Sequence, residues 1–148
     1  MQRSEIKELH YITPIANIPS IIVHGILCKN RADQFDPATI ALQTVQDTRD
    51  KKSVPGGLPL HDYANLYFSA RNPMMYKRQA LHREICVLQV STDVLDQPKV
   101  VIAELVPRSI PSNRILGAYV SCEHSKAALE ATGFAPTITI DGHIFFRG

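Results

Sequence analysis

A single carboxylate interrupts an apolar stretch in the second half of this sequence. Residues 99–106 read KVVIAELV, and Glu104 is the acidic residue among them. Burying an unpaired carboxylate is costly, so a purely structural strand would carry an apolar residue at this position. Either strand alternation turns Glu104 to solvent with Val100 and Ile102, or its carboxylate lines a cleft where it accepts a proton or holds a hydroxyl. These residues alone leave both interpretations open.

Other side chains able to bind a polar ligand or move a proton are concentrated in three further stretches. They are His10, Tyr11 and Thr13 in a predicted first strand, Arg49 in a polar run, and His61, Asp62 and Tyr63 in a loop rich in Gly and Pro. With Glu104, these residues are the candidates for a binding or catalytic site. The Gly56-Gly57 pair in the same loop is by itself typical of a turn.

The sequence lacks the spacing patterns of common metal and nucleotide sites. Its six His include no pair at i, i+4 and none near a CxxC motif, and neither a phosphate-binding loop nor a GxGxxG motif occurs. The three Cys are far apart and odd in number, which is typical of reduced thiols packed as small apolar side chains. We therefore expect no metal. The spacing neither excludes nor favours a Cys–His dyad.

Length and composition indicate a soluble, globular, cytoplasmic domain. The 148 residues suit one domain spanning 1–148, and 45% are hydrophobic while 20% are charged. No apolar run is long enough for a membrane span, and the N-terminus lacks the apolar core of a secretory signal. The net charge of +2 does not demand a nucleic-acid partner. Basic clusters at 49–52 and 71–83 would fit such a partner or be a solvated surface.

The elements that must position these residues are short. Val- and Ile-rich or alternating patterns predict strands over 8–13, 65–69, 84–91, 99–106 and 115–121, and a C-terminal hairpin of 137–140 and 143–146 around Asp141-Gly142. Cap and stop residues predict helices from Asn17 to Gly25, from Asp36-Pro37, from Asn72-Pro73, and over 123–132 before Gly133. Strands and helices do not alternate. The prediction is an α+β fold with short antiparallel or mixed sheets and helices toward the N-terminal half.

Three segments resemble the DarT family of bacterial DNA ADP-ribosyltransferase toxins. The segments are ELHYITPIANIPSIIVHGIL at 8–27, RDKKSVPGGLPLHDYANLYFSARNPMMY at 49–76, and AELVP at 103–107 followed by Ile110-Pro111. The family pattern has a strand bearing His-Ile-Thr, an Arg-bearing segment, a Gly-rich loop with His-Asp-Tyr, and an Ala-Glu before Leu-Val-Pro. The resemblance covers nearly the whole chain, and the central block is long and unusual in composition.

The resemblance implies an ADP-ribosyltransferase-like fold and a reaction with NAD as donor, modifying a base in single-stranded DNA. It also implies a macrodomain antitoxin as partner. By resemblance, Arg49 and Glu104 are the catalytic residues. The segment 36–49 lines the NAD pocket with the cofactor-binding residues His10, Tyr11, Ile12, Thr13, Asn17 and Arg49. The loop and strand at 55–76 close one side of the cleft, and Tyr67, Arg71 and Tyr76 bind substrate.

The sequence departs from the family pattern in two places. Tyr11 stands where the family has its cofactor-facing His, and His10 is expected to point to the opposite face of the strand. The stretch between 91 and Glu104 is shorter than in the family. A catalytically silent NAD- or nucleic-acid-binding module is therefore an alternative to the enzyme, as is an ADP-ribosyltransferase acting on RNA or protein.

Overall fold

The computed structural model describes residues 7–27, 63–96, 105–107 and 109–146. Its strands are β1 (Leu9–Pro14), β2 (Ile26–Leu27), β3 (Tyr63–Asn65), β4 (Ile85–Val90), β5 (Leu105–Pro107), β6 (Ser109–Ile110), β7 (Ile115–Val120) and β8 (Thr137–Ile140). Its α-helices are α1 (Ile18–His24), α2 (Pro73–Lys77) and α3 (Glu123–Ala131). Short 3-10 helices cover Ile15–Asn17, Gln79–Leu81, Thr92–Asp96, Ser112–Arg114 and Gly142–Phe145.

A mixed four-stranded sheet in the order β1-β4-β7-β8 organises these elements. The β1–β4 and β4–β7 pairs are antiparallel, with Tyr11 opposite Leu88, while β8 joins β7 in parallel. The chain needs a crossover to make that parallel pair, and α3 lies between the two strands in sequence. Two further pairs, β2–β6 and β3–β5, form small antiparallel sheets.

Each face of the central sheet packs against its own apolar cluster. On one face, Leu9, Leu88 and Val120 pack with residues of α1 and α3 such as Ile18 and Leu129. We name this the α1/α3 face. On the other, which we name the α2 face, the cluster contains Ile12, Val87, Met75 of α2, and Ile144 and Phe145 of the last 3-10 helix. Because both its faces are covered, β4 reads in sequence as a nearly continuous apolar run.

Local capping chemistry explains where two of the helices begin and end. The Asn72 side chain accepts a hydrogen bond from Met75 N at 3.1 Å, and Pro73 follows in the first turn, where its missing N–H costs nothing. Gly25 ends α1 with a positive φ of 79°, and a Cβ there would lie 2.3 Å from the carbonyl oxygen of Ile110. Only glycine fits both the conformation and this close approach.

The predicted C-terminal hairpin is wrong. β8 pairs with β7 instead, and residues 142–145 form a 3-10 helix whose first turn is capped by Asp141, which accepts from His143 N at 3.1 Å. Ile144 and Phe145 are both buried, and a strand would turn these two neighbours to opposite faces. The need to bury both side chains in the α2-face cluster therefore overrides the Asp-Gly turn signal.

The other predicted elements are reproduced to different degrees. The first, fourth and seventh strands and the helices after Asn17, Asn72 and Cys122 lie within one or two residues of their predicted bounds. The strand predicted over 65–69 is shifted, because β3 ends at Asn65 and only Tyr67 then pairs with β1. The predicted helix after Asp36, the loop at 54–62, and residues 99–104 of the strand predicted over 99–106 lie outside the described residues. None of the helices in the part described is long and apolar enough to cross a membrane.

Candidate active site

Strand β1 divides its polar residues between the two faces of the sheet. Tyr11 packs against the α1/α3-face cluster, whereas Ile12 belongs to the α2-face cluster. Alternation therefore places Thr13 with Tyr11 and His10 with Ile12. The expectation that His10 and Tyr11 point to opposite faces holds in the structure.

Thr13 and Asn17 are joined at the end of β1. Thr13 is only 2% exposed. Its hydroxyl donates to Pro14 O at 3.4 Å and accepts from the amide Nδ2 of Asn17 at 3.5 Å. Asn17 occupies the N-cap position of α1 without making a side-chain cap hydrogen bond, so its amide is directed to β1 rather than to the helix. The structure thus brings together three predicted cofactor-binding residues, Tyr11, Thr13 and Asn17, at one end of β1 on the α1/α3 side.

His10 bonds to the stretch from β3 to Tyr67, which lies beside β1 and which we name the edge segment. Its main chain exchanges two hydrogen bonds with Tyr67, each 2.8 Å long, and its ring Nδ1 lies 3.1 Å from the Tyr67 carbonyl oxygen. A carbonyl oxygen only accepts hydrogen bonds, so Nδ1 carries the proton. The Nε2 atom on the other side of the ring lies 3.7 Å from the Glu8 carboxylate.

Glu8 is the acceptor at the centre of a polar network on the α2 face. Gln89 Nε2 donates to Glu8 at 2.7 Å and to the Tyr119 hydroxyl at 3.2 Å, and that hydroxyl donates to the second Glu8 oxygen at 3.0 Å. Burial first, and then the hydrogen bond and charge of Glu8, raise the pKa of Tyr119, so the phenol stays protonated as the donor the network needs. Gly117 makes room, since a Cβ there would lie 2.5 Å from Gln89 Oε1.

The segment that carries Tyr67 also leads toward Glu104. In the β3–β5 pair, Asn65 lies opposite Leu105, the residue that directly follows Glu104 in the chain. Two residues after Asn65, Tyr67 pairs with His10. One short stretch of backbone therefore connects β1 with the strand next to the predicted catalytic carboxylate.

A cationic and aromatic surface lies near the C-terminal end of the described chain. The Arg71 guanidinium carbon is 3.8 Å from the centre of the Phe146 ring, and its Nε donates to His143 O at 3.1 Å. The Tyr76 ring meets the same Phe146 ring edge-on at 5.2 Å and is 59% exposed. Of the predicted substrate-binding residues, Arg71 and Tyr76 thus share one surface, whereas Tyr67 packs against the α2-face cluster at the sheet edge.

Several predicted site residues lie outside the described part of the chain. These are the two predicted catalytic residues, Arg49 and Glu104, and the loop residues His61 and Asp62. Within the described ranges, no group of three or more His, Cys, Asp or Glu side chains could hold a metal ion.

Sequence reasoning missed four residues of these arrangements: Glu8, Gln89, Tyr119 and Phe146. One signal was available, because Gln89 is the polar residue within ICVLQV, just as Glu104 is the acidic one within KVVIAELV. Phe146 carried no signal. It was predicted to lie in a strand, yet it adopts a left-handed conformation with φ of 59° after the last 3-10 helix.

The described cysteines occupy contrasting environments. Cys86 is fully buried in the central strand, as expected of a small apolar residue, and burial raises the pKa of its thiol to about 12. Cys122 precedes α3, where hydrogen bonds from Ser125 above all lower the pKa of its thiol to about 7. Its Sγ lies 3.4 Å from Ser125 Oγ and 3.7 Å from Ser121 Oγ.

Sequence comparison identifies the family. A family model described as "ssDNA thymidine ADP-ribosyltransferase, DarT" matches residues 10–104. A "DNA ADP-ribosyl transferase-DNA ADP-ribosyl glycohydrolase fusion protein" of Thermosipho africanus (strain H17ap60334) is 30% identical over 106 residues. A "DNA ADP-ribosyl transferase" of Thermus sp. (strain 2.9) is 35% identical over 71 residues. The aligned stretches cover 66% and 46% of this chain and span only 26% and 34% of the length of those relatives.

Solved structures show the same fold. DarTG of Thermosipho africanus in complex with ADP-ribose matches with a TM-score of 0.83 at 19% identity, over 95% of this chain and 51% of that one. DarT of Thermus sp. 2.9 in complex with ADP-ribosylated ssDNA matches with a TM-score of 0.76 at 19% identity, over 95% and 97%. The predicted α+β, ADP-ribosyltransferase-like fold is confirmed. Because the family model spans well over half of its residues, this chain belongs to the DarT family of ssDNA thymidine ADP-ribosyltransferases.

Proposed function

We propose that this protein transfers ADP-ribose from NAD to a base in single-stranded DNA, as the toxin of a toxin–antitoxin pair. One observation carries the proposal: the family match extends from His10 in β1 to Glu104, so it includes both the proposed cofactor strand and the proposed catalytic carboxylate. The family description names thymidine, and we take thymine as the first base to test.

The proposed NAD site lies at the end of β1 on the α1/α3 side. The Tyr11 hydroxyl, the Thr13 hydroxyl and the Asn17 amide supply donors and acceptors for the hydroxyl and amide groups of a dinucleotide. The hydrogen bond between Thr13 and Asn17 fixes these two side chains before the ligand arrives, which lowers the ordering cost of binding. Ile12 and His10, the other β1 members of the predicted set, lie on the opposite face of the strand.

The chemistry requires one bond to break and one to form at the same carbon. The bond between nicotinamide and ribose breaks and leaves nicotinamide, while a ring nitrogen of the base attacks the anomeric carbon and loses its proton. In the proposal, Glu104 takes that proton and Arg49 stabilises a phosphate or the reacting base. The base must come from single-stranded DNA, because pairing in a duplex covers the ring nitrogen.

The surface formed by Arg71, Tyr76 and Phe146 fits a single DNA strand. Exposed aromatic rings stack on unpaired bases whatever their identity, and a guanidinium attracts the phosphate backbone. Lys77 is exposed beside Tyr76 in the same helix and adds a second positive charge. We propose that the strand passes over this surface, with Tyr67 nearer to the reacting base.

The proposal extends to the partner, the compartment and the domain. The Thermosipho relative is named as a fusion with a DNA ADP-ribosyl glycohydrolase, which is the activity expected of an antitoxin that removes the modification. We therefore propose a macrodomain glycohydrolase as the partner of this chain. We further propose that the chain acts in the cytoplasm, where NAD and DNA are found together, as one domain spanning residues 1–148.

Transfer of radiolabelled ADP-ribose tests the proposed function directly. The purified chain is incubated with NAD labelled in its adenylate part and with oligonucleotides of thymine, cytosine, adenine or guanine, in single-stranded and duplex form. Label on the single-stranded thymine oligonucleotide, removed by a macrodomain glycohydrolase, is the expected result. Label on RNA or on protein instead would redirect the substrate. NAD binding by calorimetry without transfer to any acceptor would favour a silent binding module.

A further inference from the structure

Main-chain hydrogen bonds at a single residue pair join the Tyr67 segment to β1. Tyr67 pairs with His10 as an isolated bridge, so its main chain exchanges only two hydrogen bonds with β1. The segment begins with β3, just before Tyr67 in the chain, and the partner strand β5 begins at Leu105. Through this pair, the segment links β1 to Leu105, which directly follows Glu104 in the chain.

The His10 side chain strengthens this small junction. Its Nδ1 donates to the Tyr67 carbonyl oxygen that already accepts from the His10 main chain, so one carbonyl holds two bonds from one residue. The bond fixes both the register and the distance of the segment. His10 is only 7% exposed, so little of its ring is available for contact with a ligand.

The ring of His10 is itself held in place by the Glu8 network. The Glu8 carboxylate lies 3.7 Å from Nε2 and is fixed by donors from two other strands, Gln89 in β4 and Tyr119 in β7. The Tyr119 ring of the same network packs beside the His10 ring, with their centroids 6.2 Å apart. The network thus ties the edge segment to all three neighbouring strands of the sheet.

We propose, resting on the proposed function, that His10 is a positioning residue for the transfer reaction and not a contact of NAD. With Glu8, Gln89 and Tyr119 behind it, His10 holds the Tyr67–β3 segment on β1, and with it β5, the strand that directly follows Glu104 in the chain. A displacement of about 1 Å between a catalytic group and its target costs around a hundredfold in rate.

Two substitutions of His10 separate this role from a contact with NAD. His10→Asn keeps an N–H donor at the position of Nδ1, whereas His10→Leu keeps an apolar body of similar size and removes the donor. We expect His10→Leu to lower kcat for transfer to single-stranded DNA about tenfold to a hundredfold, with the Kd for NAD within about twofold of the wild type. His10→Asn should recover most of the lost kcat. The control His124→Leu replaces an exposed histidine of α3 and should change neither quantity.

Amide hydrogen exchange provides a readout that does not depend on activity. Peptides covering residues 63–70 should exchange faster in His10→Leu than in wild type or His10→Asn, while peptides of β4 and β7 keep their protection. Should His10→Leu not fold, Tyr119→Phe takes its place, because it removes one donor to Glu8 and preserves the ring. It should lower kcat several-fold with unchanged NAD affinity.

Each outcome bears on a different claim. Equal kcat in wild type, His10→Leu and His10→Asn would overturn the positioning role, and so would a loss in His10→Leu that appears as weaker NAD binding with kcat unchanged. A wild-type chain that folds, binds NAD and transfers nothing would overturn the proposed function, and the positioning role with it. A working wild type with a failed His10 series would overturn the positioning role alone.

Discussion

Polar side chains on the two faces of the central sheet have different kinds of hydrogen-bond partner. On the α1/α3 face, the buried Thr13 hydroxyl has as partners the neighbouring Pro14 carbonyl and the amide of Asn17, from the turn that follows β1. On the α2 face, Glu8 and Gln89 belong to a network that joins three strands and the edge segment. Short local bonds suit a site whose side chains are held ready for a ligand, whereas a network closed on itself suits a junction that must not move. We therefore propose that one strand serves binding on one side and positioning on the other.

The largest effect is expected at Glu104, the proposed catalytic residue. Glu104→Gln keeps the shape of the side chain and loses the proton acceptor, so transfer should fall at least about a hundredfold. NAD affinity should stay nearly intact, because the binding contacts are assigned to β1. Single-turnover transfer and calorimetry measure the two quantities separately. Unchanged transfer would remove Glu104 from the mechanism and leave the network face without a catalytic purpose.

A smaller effect is expected on the DNA-binding surface. Tyr76→Ala removes an exposed ring that can stack on a base, an interaction of about 1–3 kcal/mol, so affinity for single-stranded DNA should weaken at least about fivefold. Tyr76→Phe keeps the ring and serves as the matched control. Fluorescence anisotropy with a labelled oligonucleotide compares the two variants. Equal binding by Ala and Phe at this position would show that the strand takes another path.

On the α1/α3 face, a single hydroxyl provides a milder test. Thr13→Val keeps the volume and removes the bond to Asn17, worth about 0.5–1.5 kcal/mol, so the Kd for NAD should rise about twofold to tenfold. The kcat value should change less than the Kd, which is the reverse of the pattern expected at His10. Thr139→Val, an exposed threonine of β8, is the control, and calorimetry is the measurement. A Thr13→Val variant with lower kcat and unaltered Kd would contradict the division of roles.

The smallest functional effect is expected from modifying Cys122. With a pKa of about 7, its thiolate forms as pH rises through neutrality, so alkylation should reach half its maximal rate near pH 7. Cys86, whose pKa is about 12, should stay unlabelled in the folded chain. Mass spectrometry locates the label, and transfer activity should be unchanged after it. Inactivation by alkylation at Cys122 alone would show that the N-terminal end of α3 belongs to the site.

The sequence predicts the face of β1 well and the junction at its edge poorly. Period-two alternation placed His10 and Tyr11 on opposite sides, because successive side chains of a strand point to opposite faces of the sheet. The bridge between His10 and Tyr67 links residues 57 positions apart, and no local pattern encodes such a contact.

The predicted hairpin near the C-terminus also failed because a long-range contact outweighs a local sequence signal. Asp141-Gly142 is a good hairpin signal, yet the burial of Ile144 and Phe145 decides the conformation there. The cluster of Arg71, Tyr76 and Phe146 depends on that conformation. Two of its three members were predicted as a substrate surface and the third was not, because Phe146 reaches them only through the last 3-10 helix.

The pairing of β1 with β4 has a consequence for the synthesis of this protein. About 70 residues of chain separate the two strands, so closing this loop carries a large entropic cost before any sheet contact forms. During synthesis at roughly 5–20 residues per second, β1 waits several seconds for its partner, and longer for β7. Until then the Glu8 network, which needs Gln89 of β4 and Tyr119 of β7, does not exist. We therefore expect the proposed transfer activity to appear only once the central sheet has closed, so that a nascent chain, or one truncated before β7, is inactive.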